Sequence, residues 1–291
     1  AFLLKRLVSL PLWRGQLVHY VASKVLRSMR VKGRIPERDA VIRYTLERFE
    51  AQLRFSRERR YLVVSKKSGD RLNIDWLALI DHEYGRSPSE AALARVRDEC
   101  TSAVDGLLAS PLLPEILKTD RAGWDIENLD AAEFAQTFEF AGTPVYVKTD
   151  FMFRGAAGEL SIVDWKTTKT VDAERDLSAA ESGNAAAQLG VYAYYASRVL
   201  GVPIESVRLY EVGLLAGGAA TAHAANRETI AEAERRLARG IAKLASALEG
   251  GDASRNEALA PRFFTPVESG LCRFCNFFRI CKDERNPHRL Q

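Results

Sequence analysis

A chain of 291 residues, 47% of them hydrophobic, can bury the core of one large domain or two small ones, and 27% charged residues is an ordinary share for a soluble protein. No apolar run approaches the ~18 residues of a membrane span and no signal-peptide pattern opens the chain, so a membrane association is not expected and a cytoplasmic address is. Net charge is +4, yet residues 1–70 hold 17 Lys and Arg against 6 Asp and Glu, which leaves the remainder acidic. Such a basic N-terminal part draws a phosphate backbone in a salt-sensitive way, although solvated helix faces would give the same composition.

Residues 9–29 read as a helix: after a break at Pro11, Leu17, Val18, Val21, Val25 and Leu26 recur at helical spacing. Gly15 and His19 lie four apart and share a face, so the bare Gly15 lets another group approach where His19 points. Ile35 and Pro36 mark a break before a second amphipathic helix, residues 39–52, whose continuation through residues 54–60 is densely basic. His82 sits in a polar stretch and reads as structural. Ser87 as N-cap and Pro88 at the first helical position open a helix to about residue 108. Leu93, Val96, Cys100, Val104 and Leu107 form its apolar stripe, which makes Cys100 a buried thiol rather than a ligand.

Residues 134–140, the turn at Ala141 and Gly142, and the two strands that follow predict a three-stranded antiparallel meander. Over residues 145–154, Val145, Val147, Thr149, Phe151 and Phe153 share one face and Tyr146, Lys148, Asp150 and Met152 the other. Residues 155–158 are a turn. The next run sets Leu160, Ile162, Asp164 and Lys166 on one face, with Ser161, Val163 and Trp165 opposite. A strand largely apolar on both faces is a central one. Carboxylates at its end are costly to bury unpaired. A solvated surface hairpin would explain the polar residues, but a bound Mg²⁺ or Mn²⁺ explains them together with the burial, since both ions prefer hard carboxylate oxygens. In that reading Asp150 and Asp164 bind the metal, and Lys166 orients the attacking water and offsets charge on a phosphate.

Residues 184–200 form an Ala- and Tyr-rich helix with Gln188 and Tyr192 on one face, stopped by Gly201 and Pro203. Residues 207–215 are a strand, and residues 226–250 a long helix capped by Asn226 and ended by Gly250 and Gly251. Cys272, Cys275 and Cys281 fall within ten residues, interleaved with Arg273, Phe274, Phe277, Phe278 and Arg279. The spacing suits zinc or an iron–sulfur cluster, and each takes four ligands. No P-loop pattern occurs, so helicase or ATPase activity would have to come from a partner.

Asp150, then Asp164-Trp165-Lys166-Thr167, then Gln188 and Tyr192 four apart, resemble the core of the PD-(D/E)XK nucleases in their RecB-like form. Trp13-Arg14-Gly15-Gln16-Leu17-Val18-His19 resembles the upstream glycine-to-histidine motif of that family. The cysteine triplet is similar to that of members holding an iron–sulfur cluster, such as AddB and the CRISPR-associated RecB-type exonucleases. The motifs run in the family's order from residue 13 to residue 281. The resemblance implies His19 and the Trp165 backbone carbonyl as further metal ligands. It also places Gln188 and Tyr192 beside the catalytic centre, to orient Lys166 or contact the DNA backbone. It implies a 4Fe-4S cluster on Cys272, Cys275 and Cys281, a staple between the C-terminus and the N-terminal helices. The family's fourth cysteine lies upstream of the glycine–histidine motif, where this sequence has none. The chain opens on Ala1 without a methionine, so a preceding segment is the expected source; Cys100 or a non-cysteine ligand are the alternatives.

The expected fold is therefore α/β, a mixed central sheet flanked by helices (a restriction-endonuclease-like core) with a Cys-rich C-terminal clasp. One domain is expected over residues 1–291: a helical, basic region to residue 130, the catalytic core over 131–225, and the long helix with the cysteine cluster over 226–291. The expected activity is Mg²⁺- or Mn²⁺-dependent cleavage of DNA, as an exonuclease on single-stranded ends or flaps in repair, recombination or defence, with a helicase or other repair protein as partner. The competing reading is a catalytically silent nuclease-like subunit that grips DNA and scaffolds a helicase.

Overall fold

The computed structural model describes residues 3–63, 75–127, 136–167, 187–252, 255, 257–260, 263, 268–270, 272 and 275–282. The N-terminal half is helical: α1 (Leu10–Lys32), α2 (Arg38–Arg57), α3 (Ile80–Glu83), α4 (Glu90–Ala109) and α5 (Leu112–Leu117). Pro11 does not break α1 but sits in its first turn, where a missing N–H costs nothing, and the helix runs on to Gly33. Gly33 takes φ 68°, and its N–H closes the end on the Met29 carbonyl at 2.8 Å. The stripe read from sequence is buried: Leu17, Val18, Val21, Val25 and Leu26 are all at most 3% exposed. The cap of α4 is Ser89 and not Ser87, because Ser89 is the residue whose hydroxyl reaches the Ala92 N–H three positions on (3.2 Å).

The strands are β1 (Asp125–Ile126), β2 (Gln136–Phe140), β3 (Thr143–Val147), β4 (Phe151–Arg154), β5 (Leu160–Lys166), β6 (Val207–Gly213) and β7 (Ala219–His223). Five of them make a mixed sheet in the order β1-β4-β5-β6-β7, parallel only between β5 and β6. The predicted three-stranded meander does not form. β2 and β3 pair as a separate hairpin, and the run 145–154 is two strands instead of one. Between them the chain leaves the hairpin and joins the larger sheet beside β1. The Lys148 carbonyl accepts the Tyr192 hydroxyl at 2.7 Å, and the Asp150 carbonyl accepts the Glu127 N–H at 3.0 Å.

β5 is the central strand, as its two apolar faces predict. On one face Phe151, Phe153, Val163, Trp165 and Val212 join the core built by α1, α2 and α4. On the other, Met152, Leu160, Ile162 and Leu209 pack with Leu189, Tyr192 and Ile230. Those last three come from α6 (residues 187–194), which ends in a π-helical turn (Tyr195–Val199), and from α7 (Arg227–Ala245). The architecture is a mixed sheet with helices on both faces. Residues 184–186 of the predicted helix lie outside the described residues. α7 is capped by Asn226, whose side chain accepts the Thr229 N–H, but it stops short of Gly250. Leu248 leaves to bridge Ala258, and the Glu249 N–H turns to the Glu257 carbonyl at 2.7 Å. A short helix, α8 (Phe278–Lys282), ends the described chain.

α4 is fixed to the sheet through glycine. A Cβ on Gly106 would stand 1.9 Å from the Leu214 carbonyl, in the turn that follows β6, and one on Gly218 would stand 1.9 Å from the Gly106 carbonyl. Backbone meets backbone there, so neither side can yield. Gly106→Ala should destabilise the protein by about 1–3 kcal/mol or more, read from the midpoint of urea unfolding. An unchanged midpoint would contradict this contact.

Candidate active site

Strand register brings the acids together. One step beyond the pair Phe151↔Val163, Asp150 faces Asp164; one step beyond Ile126↔Phe151, Glu127 lies beside Asp150. Glu127, Asp150 and Asp164 thus form a row across three neighbouring strands, only 9%, 8% and 2% exposed. Side by side in a poorly solvated place, three carboxylates repel one another and each loses hydration.

The compensation comes from every side. His19, on the face of α1 above the sheet end, sets Nδ1 3.2 Å from Asp150 Oδ1 and 3.7 Å from Glu127 Oε2. Lys148 Nζ lies 2.5 Å from Glu127 Oε1, and the Trp165 N–H donates to Asp150 Oδ2 at 2.8 Å. Arg27 holds the Glu127 carbonyl at 3.0 Å, tying α1 to the end of β1. Burial disfavours a charged His19, but Asp150 and Glu127 outweigh it and hold the imidazole pKa up at about 10. Burial, then the charge of Asp150, pushes the Asp164 carboxyl above its usual range against the pull of Lys166 and His19. Lys166 Nζ stands 2.6 Å from Asp164 Oδ2 but off the line of a hydrogen bond, so this buried oxygen has a nearby charge without an aligned donor.

These groups suit a hard divalent cation. The ligand atoms of His19, Glu127 and Asp150 all lie within 4.8 Å of one another, and the poorly satisfied Asp164 oxygen faces Asp150 across the ladder. Carboxylate oxygens with one imidazole are a donor set for Mg²⁺ or Mn²⁺. The Trp165 N–H meets the site at Asp150, and the Trp165 ring is buried in the helical core.

Lys166, Gln188 and Tyr192 also come together. Lys166 Nζ donates to Gln188 Oε1 at 2.9 Å, Gln188 Nε2 to the Tyr192 hydroxyl at 2.6 Å, and that hydroxyl to the Lys148 carbonyl at 2.7 Å. Burial pushes the Tyr192 hydroxyl far above its usual pKa, which keeps it a donor. Gly15 packs against Thr167: a Cβ there would lie in ordinary contact, 3.4 Å from the Thr167 hydroxyl. The helix carrying His19 therefore closes directly onto the end of β5.

The cysteines stand apart. Cys100 is buried on α4, where burial pushes its thiol up to about 12. Cys272, Cys275 and Cys281 are partly exposed, and Cys272 Sγ accepts the Ser269 N–H at 3.3 Å. The segment is tied to the N-terminal region, since Asn276 Nδ2 donates to the Leu7 carbonyl at 2.8 Å and the Tyr84 hydroxyl donates to the Asn276 carbonyl. His82 is structural as read, with Nδ1 2.8 Å from the Ser56 hydroxyl.

Two residues of the site escaped sequence reading. Glu127 follows a strand of two residues, too short to show a period, and Lys148 gains meaning only once Glu127 is beside it. A family model for the PD-(D/E)XK nuclease superfamily matches residues 4–282. The chain belongs to that superfamily, whose members are nucleases that use divalent metals. No curated protein and no solved structure matches significantly.

Because its carboxylate neighbours raise the folded pKa of His19, the stability it confers is complete below its unfolded pKa of ~6.5 and is lost as pH rises towards ~10. Without divalent cation, the melting temperature should fall between about pH 7 and about pH 10, and fall by several degrees less in His19→Gln. Equal falls in both proteins would contradict the charge assigned to His19.

Proposed function

We propose that this member of the PD-(D/E)XK nuclease superfamily cuts DNA with Mg²⁺ or Mn²⁺ held by Asp150, Asp164 and His19, with Glu127 as a further carboxylate. The observation that carries the reading is the buried row of acids with a lysine at its end. A divalent cation there neutralises the row, lowers the pKa of water and offsets charge on the scissile phosphate.

The chain's own residues do the positioning. Lys166, steadied by Gln188, presents an ammonium where phosphate charge builds during cleavage. Tyr192 holds Gln188 and, through the Lys148 carbonyl, fixes the segment that carries Asp150. Trp165 locks the orientation of Asp150 through its amide, leaving the other oxygen of that carboxylate towards His19. The order His19, Asp150, Asp164 with Lys166, Gln188 with Tyr192 supports the RecB-like subtype. We place the activity as exonucleolytic, on single-stranded ends or flaps in DNA repair, recombination or defence, alongside a helicase or similar partner. The sequence spacing of Cys272, Cys275 and Cys281 supports an iron–sulfur staple at the C-terminus, although the structure does not gather their sulfurs into one site.

The reading is tested on end-labelled single- and double-stranded DNA with Mg²⁺, Mn²⁺ or EDTA. Asp164→Ala should abolish cleavage, and Lys166→Ala should lower kcat by about 100- to 1000-fold while leaving DNA bound. A folded wild type that binds DNA and never cuts it is instead a silent scaffold. Visible absorbance of the anaerobically purified protein supports the cluster, whereas a colourless protein with stoichiometric zinc overturns it.

A further inference from the structure

Away from the carboxylate row, a pocket of about 250 Å³ opens between the N-terminal turn (Leu4–Arg6), the first half of α1, the segment at Trp76 and the C-terminal clasp. Its polar and aromatic lining is Lys5, Arg6, Gln16, Trp76 and Asn276, drawn from four distant stretches of chain. No acid is among the lining residues described. Two cations, two amides and an indole, without a carboxylate, are the groups that recognise a phosphate and a base together. The walls are anchored: Val8 and Leu79 bridge beneath the pocket, and Asn276 is bonded to the Leu7 carbonyl at 2.8 Å.

The pocket also has a direction. Leu12 and Gln16 line it, and they fall at i and i+4 on α1 with His19 at i+7. These positions share one helix face, and seven residues span ~10 Å along the axis. That is about three nucleotides at the ~3.4 Å rise of a stacked strand. One face of α1 therefore leads from the pocket to the metal ligand.

We propose that this pocket binds one nucleotide of a single DNA strand, with its phosphate on Lys5 and Arg6 and its base against Trp76, and so feeds the strand along α1 to the carboxylate row. The proposal rests on the nuclease reading for its purpose, but it is a binding claim and is tested without cleavage. The volume admits a base with its phosphate and is far too small for a duplex.

The experiment is binding of a labelled oligodeoxythymidylate in EDTA, followed by anisotropy and by protein fluorescence. Of the four tryptophans, Trp13, Trp124 and Trp165 are buried and Trp76 is partly exposed, so Trp76 should report the base. Wild type should show quenching. Trp76→Phe should lose the quenching and keep most of the affinity, while Trp76→Ala loses about tenfold. Lys5→Gln/Arg6→Gln should weaken binding at least tenfold and flatten the dependence of log affinity on log salt by about 0.7, the value for one lost phosphate contact. Melting temperatures close to wild type identify the folded variants. An unchanged affinity and salt slope in the double variant overturns the proposal, as does quenching that survives in Trp76→Phe or equal affinity for blunt duplex. If the wild type cuts DNA while the double variant binds like it, the pocket proposal falls alone. If the binding pattern holds and no cutting is seen, the nuclease reading falls and the pocket stands.

Discussion

The constraint on which this molecule turns is the burial of three carboxylates in a row. Glu127, Asp150 and Asp164 lie side by side across adjacent strands at the same register step, each less than a tenth exposed. Nothing about packing requires acids there, and their mutual repulsion in a poorly solvated place works against folding. The surroundings answer that repulsion with positive charge: His19 from α1, Lys148 from the break after β3, and Lys166 from the end of β5. A site that holds charge against the preference of its own fold is arranged for something that supplies the opposite charge, and a hard divalent cation does so.

The rest of the fold can be followed outward from there. The central place of β5 keeps Asp164 dry, with Ile162 and Leu160 against α6 and α7 on one face and Val163 and Trp165 against the N-terminal helices on the other. α1 packs on Thr167 at Gly15, and His19 one turn later reaches the acids. Gly106 and Gly218 let α4 touch the turn after β6 backbone to backbone, which stiffens the helical layer over the sheet. The C-terminal clasp reaches back to the Leu7 carbonyl through Asn276, so the two ends of the described chain meet beside the start of α1. The metal ligand His19 and two walls of the proposed pocket, Leu12 and Gln16, thus share α1.

Much of this was legible in sequence because it rests on periodicity and short range. The two apolar faces of β5 announced a central strand, and the four-residue spacing of Gln188 and Tyr192 announced a shared face; the two side chains are bonded to each other. What sequence could not carry were contacts fixed by long-range register. The alternation of residues 145–154 runs unbroken in sequence, yet the Lys148 carbonyl turns to Tyr192 and Asp150 already pairs beside β1 in the larger sheet. Glu127 was hidden for a related reason, since β1 has two residues and acquires its meaning by pairing with β4. The cap of α4 moved two positions because Ser87 and Ser89 are equivalent as residue types, and only the geometry at Ala92 separates them.

The most direct test of the account is manganese binding, measured by electron paramagnetic resonance on the wild type and on Asp150→Asn. Asp150 is the carboxylate at the centre of the row, bonded to Trp165 and facing His19. The wild type should bind manganese stoichiometrically, and the folded variant should lose at least tenfold in affinity. Manganese that binds both proteins equally, or neither, would contradict the claim that these acids are buried to hold a cation.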